Sequence, residues 1–90
     1  MNDRQTDNKN FEIQLDDQTA QGSFCNLVIM NHTDNEFVFD FIYMQPNTPK
    51  GKVRARIIMT PDHARRLQTA LIDNIQKYDA KYPKPRQQAE

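Results

Sequence analysis

The run of residues 36–44, EFVFDFIYM, most constrains what this chain can fold into, because aromatic and β-branched residues fill most of its positions. Such residues favour β-strands. Residues 52–59, KVRARIIM, form a second run of this kind, and the connection over residues 45–51 contains two prolines and a glycine, which are typical of a loop. The two runs therefore predict an antiparallel hairpin.

Side chains of a strand alternate between the two faces of its sheet, and this hairpin has apolar side chains on both. In a hairpin closed by the 46–51 loop, Phe39 is expected across from Ile57. The first face then contains Phe37, Phe39, Phe41, Tyr43, Val53, Ala55, Ile57 and Met59. The second face contains Val38, Asp40, Ile42, Met44, Arg54, Arg56 and Ile58. The first face predicts the core, and on the second face Asp40 is expected to pair with Arg56.

Two more strands are predicted upstream of the hairpin. Residues 11–15 alternate between apolar and polar, and Asp16 and Asp17 are expected to end that strand. Residues 23–30 are strand-compatible, and the short polar side chains of residues 31–35 predict a turn.

A helix is predicted directly after the last strand. Thr60 is a good N-cap, Pro61 fits the first helical position, and Asp62 lies where the helix dipole favours negative charge. Apolar residues then recur every three or four positions, at Ala64, Leu67, Leu71, Ile75 and Tyr78. The helix is expected to end near residues 78–80, and Pro83 prevents its continuation.

Ninety residues make one domain at most. The pattern predicts an α+β fold over residues 11–80, in which a four-stranded antiparallel meander is followed by one C-terminal amphipathic helix. Residues 1–10 and 81–90 contain very few apolar side chains and are expected to be disordered tails.

One helix can cover only one face of the sheet. The apolar residues of the second face, Val38, Ile42, Met44 and Ile58, are therefore a candidate interface. We expect a homo-oligomer, most simply a two-fold dimer, formed through this face or through the sheet edges.

The totals exclude several classes of protein. Twelve basic and twelve acidic side chains give a net charge of zero, which argues against a general binder of nucleic acid or of anionic membranes. The single Cys25 cannot form an internal disulfide. With no signal peptide and no long apolar run, a cytoplasmic protein without a membrane segment is expected.

A basic patch keeps one alternative open. Lys50, Lys52, Arg54 and Arg56 are expected on one side of one strand, and Arg65 and Arg66 follow the helix start. A strand of this kind could enter the major groove of DNA in a ribbon-helix-helix protein. That fold needs a second helix after the first, whereas here a Pro-rich tail follows the predicted helix and three strands are expected before the basic one. Nucleic-acid binding is therefore the less favoured interpretation.

No catalytic, cofactor-binding or metal-binding residues are predicted. His32 and His63 are isolated, with no partner at ligand spacing, and a glycine-rich phosphate loop cannot be built from Gly22 and Gly51 alone. A protein without enzymatic activity is therefore expected.

The chain resembles a family of short, uncharacterised bacterial and archaeal proteins that share a domain of unknown function. The resemblance covers about residues 11–79. It rests on residues 26–28, residues 36–41, Arg56, the segment 59–64 and the helix end at 74–78. It implies a recurrent domain and no particular activity.

A weaker, fold-level similarity is to the export chaperone SecB, which also has four antiparallel strands followed by a helix. It implies that the second face, with adaptable methionines nearby, could bind extended chains. The sequence thus favours a small non-catalytic protein-interaction module, either an adaptor or chaperone-like.

Overall fold

The computed structural model describes residues 11–84, which form an α+β fold. In chain order the elements are α1 (Asp17–Ala20), β1 (Leu27–His32), β2 (Phe37–Met44), β3 (Gly51–Met59) and α2 (Pro61–Lys81). The three strands form an antiparallel meander in the order β1-β2-β3, and the long helix α2 follows it. The predicted tails lie outside the described residues, except for residues 81–84.

The sheet has three strands within residues 11–84, so the fourth strand predicted at residues 11–15 is wrong. This segment forms no regular element, and its three apolar side chains are more than half exposed. Asp16 does not simply end a strand. Its Oδ1 accepts a hydrogen bond of 2.7 Å from the Thr19 amide, which starts the short helix α1. Alternation of apolar and polar residues is compatible with a strand, but a strand forms only where the segment pairs with another strand.

The strand β1 begins four residues later than predicted and extends to His32, into the predicted turn. Its start is fixed by Asn26, whose amide side chain bonds both backbone groups of Met44. The Met44 N–H donates to Asn26 Oδ1 at 2.8 Å, and Asn26 Nδ2 donates to the Met44 carbonyl at 3.3 Å. The side chain of Asn26 thus acts like one more residue of backbone pairing at the end of β2.

The pairing of β2 with β3 follows the predicted register as far as Phe41. Phe39 lies across from Ile57 and Asp40 across from Arg56. A bulge then leaves Arg54 without a residue opposite, so Val53 lies across from Ile42. Because one extra residue inverts the alternation, Val53 belongs to the second face, and its predicted place on the first face is wrong.

The helix α2 begins as predicted. The Thr60 Oγ1 accepts a hydrogen bond of 3.3 Å from the His63 amide, and Pro61 occupies the first helical position. The predicted end is one to three residues early, since the helix continues to Lys81.

The expectation that this helix covers the first face of the sheet is wrong. No residue of α2 is buried. Only Thr60 separates β3 from α2, whereas a strand and a helix that pack together are usually joined by about two to six residues. The connection is too short for the helix to pack closely against the sheet, and a groove remains between them.

The buried part of the described chain is small and lies in the middle of β2. Only Phe39, Asp40 and Ile42 are buried there. Sixteen large apolar side chains are exposed, on the sheet, on α2 and on the N-terminal segment. The fold therefore presents most of its apolar surface outward.

Candidate protein-interaction surfaces

The second face of the sheet carries apolar side chains around one ion pair. The pairing register places Leu27 and Ile29 of β1 and Val53 and Ile58 of β3 beside residues of β2. The predicted interface residues Val38, Ile42, Met44 and Ile58 all lie on this face. The structure therefore brings together the four residues that the alternation singled out and adds three more.

These residues differ in how far they are exposed. Ile42 is buried, Val38 and Met44 are half-buried, and Ile58 is 55% exposed. Met44 lies over Gly51, where an added Cβ would come within 2.5 Å of Met44 Sδ and 3.1 Å of Ile42 Cγ2. Ile42 is thus covered by its own chain, and the exposed apolar part of the face is formed by Leu27, Ile29, Val53 and Ile58.

A bidentate ion pair lies in the middle of this face. Arg56 Nε donates to Asp40 Oδ1 at 2.7 Å, and Arg56 Nη2 donates to Asp40 Oδ2 at 2.9 Å. Only 11% of the Asp40 side chain is exposed, against 62% of the Arg56 side chain. These bonds from Arg56 lower the pKa of Asp40 below its usual value, against the opposing effect of burial. The face therefore has a neutral centre.

The first face is lined with aromatic rings. The ring centroids of His32 and Phe37 are 5.2 Å apart, and Phe39 follows Phe37 at 6.4 Å, as Phe41 follows Phe39. These rings stack along the strand direction and across to β1. They give β2 a rigid apolar surface on the side where α2 begins.

A groove separates the first face from α2. Its volume is about 460 Å³, and its lining is largely apolar. The sheet contributes Met30, Phe37 and Phe39, and the helix contributes Ala64, Leu67 and Leu71 among others. Sequence alternation could not predict this groove, because it depends on the angle at which α2 leaves the sheet.

The apolar stripe of α2 is exposed from Leu67 onward. Leu67, Leu71, Ile75 and Tyr78 are between 41% and 59% exposed. A helix in water is stabilised mainly by packing of its apolar face. An uncovered stripe of this length therefore marks a surface that packs against something else.

The residues of the predicted basic patch do not form one surface. Arg56 is bound to Asp40 on the second face, whereas the guanidinium of Arg54 lies 5.9 Å from the ring of Tyr43 on the first. Lys52 pairs across from Tyr43 as well, and Lys50 lies in the loop before β3. The prediction that these four residues share one side is wrong, because the bulge reverses the alternation between Arg56 and Lys52.

The two helical arginines are also engaged. Arg65 Nη1 donates to Asp62 Oδ1 at 2.8 Å, and Arg66 Nη1 lies 3.5 Å from His63 Nδ1. Both contacts join residues one turn apart along the helix. Arg65 and Arg66 therefore do not extend the basic residues of β3 into one surface.

Within residues 11–84, no three His, Cys, Asp or Glu side chains are grouped so that they could hold a metal ion. Cys25 is a free, half-buried thiol. None of the helices in this part of the chain is both long and apolar enough to cross a membrane.

Comparisons with known proteins place the chain in a family without indicating an activity. No curated protein and no solved structure matches it, so a similarity to SecB is not shown. A family model described as "Protein of unknown function (DUF3467)" matches residues 1–84, which is most of the chain. The match confirms the resemblance to an uncharacterised family, and the chain belongs to the DUF3467 family of proteins of unknown function.

Proposed function

We propose that this chain is a small non-catalytic protein-interaction module that binds another protein through the second face of its sheet. The observation that carries this proposal is the cluster of exposed apolar side chains, Leu27, Ile29, Val53 and Ile58, on one face of a short sheet. Contiguous apolar surface of this kind usually marks a contact with another protein.

The ion pair on this face supports a protein partner. The centre of a protein interface is depleted of unpaired charge, because a buried charge without a partner is costly. Asp40 and Arg56 already satisfy each other with two hydrogen bonds. A partner can therefore cover the face without leaving either charge unpaired.

Both forms of the proposal, adaptor and chaperone-like, fit the same surface. Met44, a flexible side chain, lies on this face beside Ile42. Methionine suits surfaces that adapt to more than one partner. An adaptor binds one or a few folded proteins through the face, whereas a chaperone-like module binds many unfolded chains.

The character of the groove supports the non-catalytic part of the proposal. Its lining is apolar apart from Arg65 and Gln68, and the Arg65 side chain is bound to Asp62. A catalytic site brings several polar groups together at one point. The described residues provide no such convergence in the groove.

Nucleic-acid binding is weakened as an alternative by the placement of its proposed residues. Arg54 and Arg56 lie on opposite faces, and Arg56 and Arg65 are each paired with a carboxylate. A nucleic-acid interface needs several unpaired cations along one surface. A steep loss of affinity for DNA or RNA with rising salt is the result that would favour this alternative.

The test compares three baits in affinity purification from the native cell, with quantitative mass spectrometry of the proteins recovered. The baits are the natural chain, Ile58→Asp and the matched control Thr69→Asp, which changes the charge equally on α2. We expect Ile58→Asp to lose its specific partners by about tenfold or more, since a buried charge costs several kcal/mol. Unchanged recovery with Ile58→Asp contradicts the proposal.

A second arm separates the two forms of the proposal. Binding of a permanently unfolded polypeptide, reduced and alkylated so that it cannot refold, is measured by fluorescence anisotropy. A chaperone-like module binds this probe, and Ile58→Asp weakens the binding. An adaptor recovers specific proteins from the cell and does not bind the probe. Circular dichroism of each variant checks that the substitution leaves the fold intact.

A further inference from the structure

We propose that two copies of this chain pair through α2, antiparallel about a two-fold axis at Leu71, and that the C-terminal half of each helix fills the groove of its partner. This dimer uses the helix and the first face. It leaves free the second face, to which the proposed function assigns other proteins. The occupant of the groove is thus a second copy of the chain.

The spacing of the helical stripe supports this pairing. Leu67 and Ala64 lie four and seven residues before Leu71, and Ile75 and Tyr78 lie four and seven residues after it. A two-fold interface needs a surface that is complementary to itself when its direction is reversed. The stripe meets this requirement about Leu71, because each of its positions has a counterpart at the same distance on the other side.

The sizes of the residues that face each other are complementary. About this axis Leu71 meets its own copy, Leu67 meets the partner's Ile75, and Ala64 meets the partner's Tyr78. The smallest residue of the stripe therefore faces the largest, which lets the two helices interdigitate. Substituting the small Ala64 by a bulkier residue would remove the space for the tyrosine ring.

The groove is in the right place to receive the partner's helix. Ala64 and Leu67 line it from α2, and Met30, Phe37 and Phe39 line it from the sheet. These are the positions opposite the partner's Tyr78 and Ile75, so those two side chains enter the volume of about 460 Å³. Each copy thereby covers the exposed Met30 and the half-buried ring of Phe37 on its partner.

Charge does not oppose the contact, because the stripe contains none. Arg65, which lines the groove, is paired with Asp62 within its own helix. Gln68 and Asn74 border the stripe, and Asn74 Nδ2 already donates to the Ala70 carbonyl at 2.9 Å. Few polar groups therefore lose water when the helices meet.

The contact runs along the helical stripe and into the groove at both ends. The stripe from residue 64 to residue 78 is about 21 Å long at 1.5 Å per residue. Symmetry repeats the contact between helix end and groove on both sides of the axis. A stable interface removes roughly 800 Å² from each partner. In this dimer the helical stripes and the two grooves both contribute to the buried area.

A series of single cysteines tests the register, in the Cys25→Ser background to remove the natural thiol. At the axis, Leu71→Cys brings the two thiols together, and oxidation should join most of the protein into a covalent dimer. The two copies of Leu67→Cys are about 12 Å apart along the helix and those of Tyr78→Cys about 21 Å, too far for a disulfide. A mixture of Leu67→Cys and Ile75→Cys should cross-link, since these positions face each other.

The assembly is measured by light scattering at several protein concentrations. The natural chain should have the mass of a dimer. Leu71→Glu places two like charges at the axis and should raise the dissociation constant of the dimer by roughly 100-fold or more. Thr69→Glu, on the opposite side of the same helix, should remain a dimer. Should Leu71→Glu lose its fold, the cysteine series still decides the register.

Three results overturn the proposal: a natural chain that is monomeric, cross-linking at position 67 or 78 without cross-linking at 71, and a dimer unaffected by Leu71→Glu in a folded variant. A failure here is distinguishable from a failure of the proposed function. A monomer that loses its partners on Ile58→Asp overturns the dimer alone. A dimer paired at Leu71 that keeps every partner on Ile58→Asp overturns the proposed function alone.

Discussion

Asp40 lies in the middle of the central strand, where its side chain is mostly covered, and a carboxylate there needs a partner to remain ionised. Arg56 on the adjacent strand supplies two hydrogen bonds in the planar geometry that a guanidinium offers to a carboxylate. This pair could be predicted from sequence, because the loop sets the register and the register places Arg56 opposite. The pair also makes folding depend on pH.

Acid should destabilise the fold through this pair. The pKa of folded Asp40 is lowered by the hydrogen bonds from Arg56, below the value of about 3.9 expected in the unfolded chain. The unfolded state therefore takes up the proton first. The stabilising contribution is fully present above the unfolded pKa and is lost as the pH falls through the folded one. Thermal unfolding from pH 7 to pH 2 should show a constant midpoint that declines below about pH 4.

The variant Asp40→Asn isolates this contribution. Its midpoint should be lower than that of the natural chain at pH 7, and its decline in acid should be shallower. Some decline should remain, since the pKa of Asp16 is also lowered, chiefly by the hydrogen bond from the Thr19 amide. An Asp40→Asn variant with the same pH profile as the natural chain would show that the pair does not control acid stability.

Gly51 gives a second prediction at the scale of single residues. An added Cβ there would come 2.5 Å from Met44 Sδ and 3.1 Å from Ile42 Cγ2. We expect Gly51→Ala to destabilise the fold by about 1 kcal/mol, because the flexible Met44 can move aside while the buried Ile42 must shift slightly. Urea unfolding measures the change. The neighbouring substitution Lys52→Ala, at an exposed position, is the control and should cost less than about 0.5 kcal/mol.

At the scale of elements, the sequence was most informative where local chemistry decides the outcome. The cap at Thr60 and Pro61 fixed the start of α2, and the loop before β3 fixed the pairing of Phe39 with Ile57. The bulge at Arg54 could not be predicted from the sequence, because nothing in the alternation of residues 52–59 indicates that one of them has no partner on β2. The segment 11–15 misled, since it alternates like a strand but pairs with no strand of the sheet.

The cap of α2 can be tested by substitution. Thr60→Ala removes the oxygen that accepts from the His63 amide and should cost about 1 kcal/mol of stability, with loss of helical signal at the first turn. Thr60→Ser keeps the hydroxyl and should restore most of it. Circular dichroism during urea unfolding measures both. Equal losses for the alanine and serine variants would show that the hydroxyl does not cap the helix.

For the whole molecule, the arrangement of α2 is what local sequence could not supply. The stripe of Leu67, Leu71, Ile75 and Tyr78 predicts an amphipathic helix, and its apolar face was expected to pack against the sheet of the same chain. The connection by Thr60 alone prevents that packing. The apolar stripe of the helix therefore stays exposed, and it requires a partner surface on another chain.

A single chain with so small a buried core should derive much of its stability from assembly. If two copies fold and pair together, a 100-fold increase in protein concentration stabilises the folded state by about 2.7 kcal/mol, which raises the unfolding midpoint by roughly 5–11 °C. Scanning calorimetry and circular dichroism cover that range of concentration. The midpoint of Leu71→Glu should be lower and independent of concentration, while Thr69→Glu should behave like the natural chain. A midpoint of the natural chain that stays constant over this range would mean that one copy is stable alone, with its helical stripe in water.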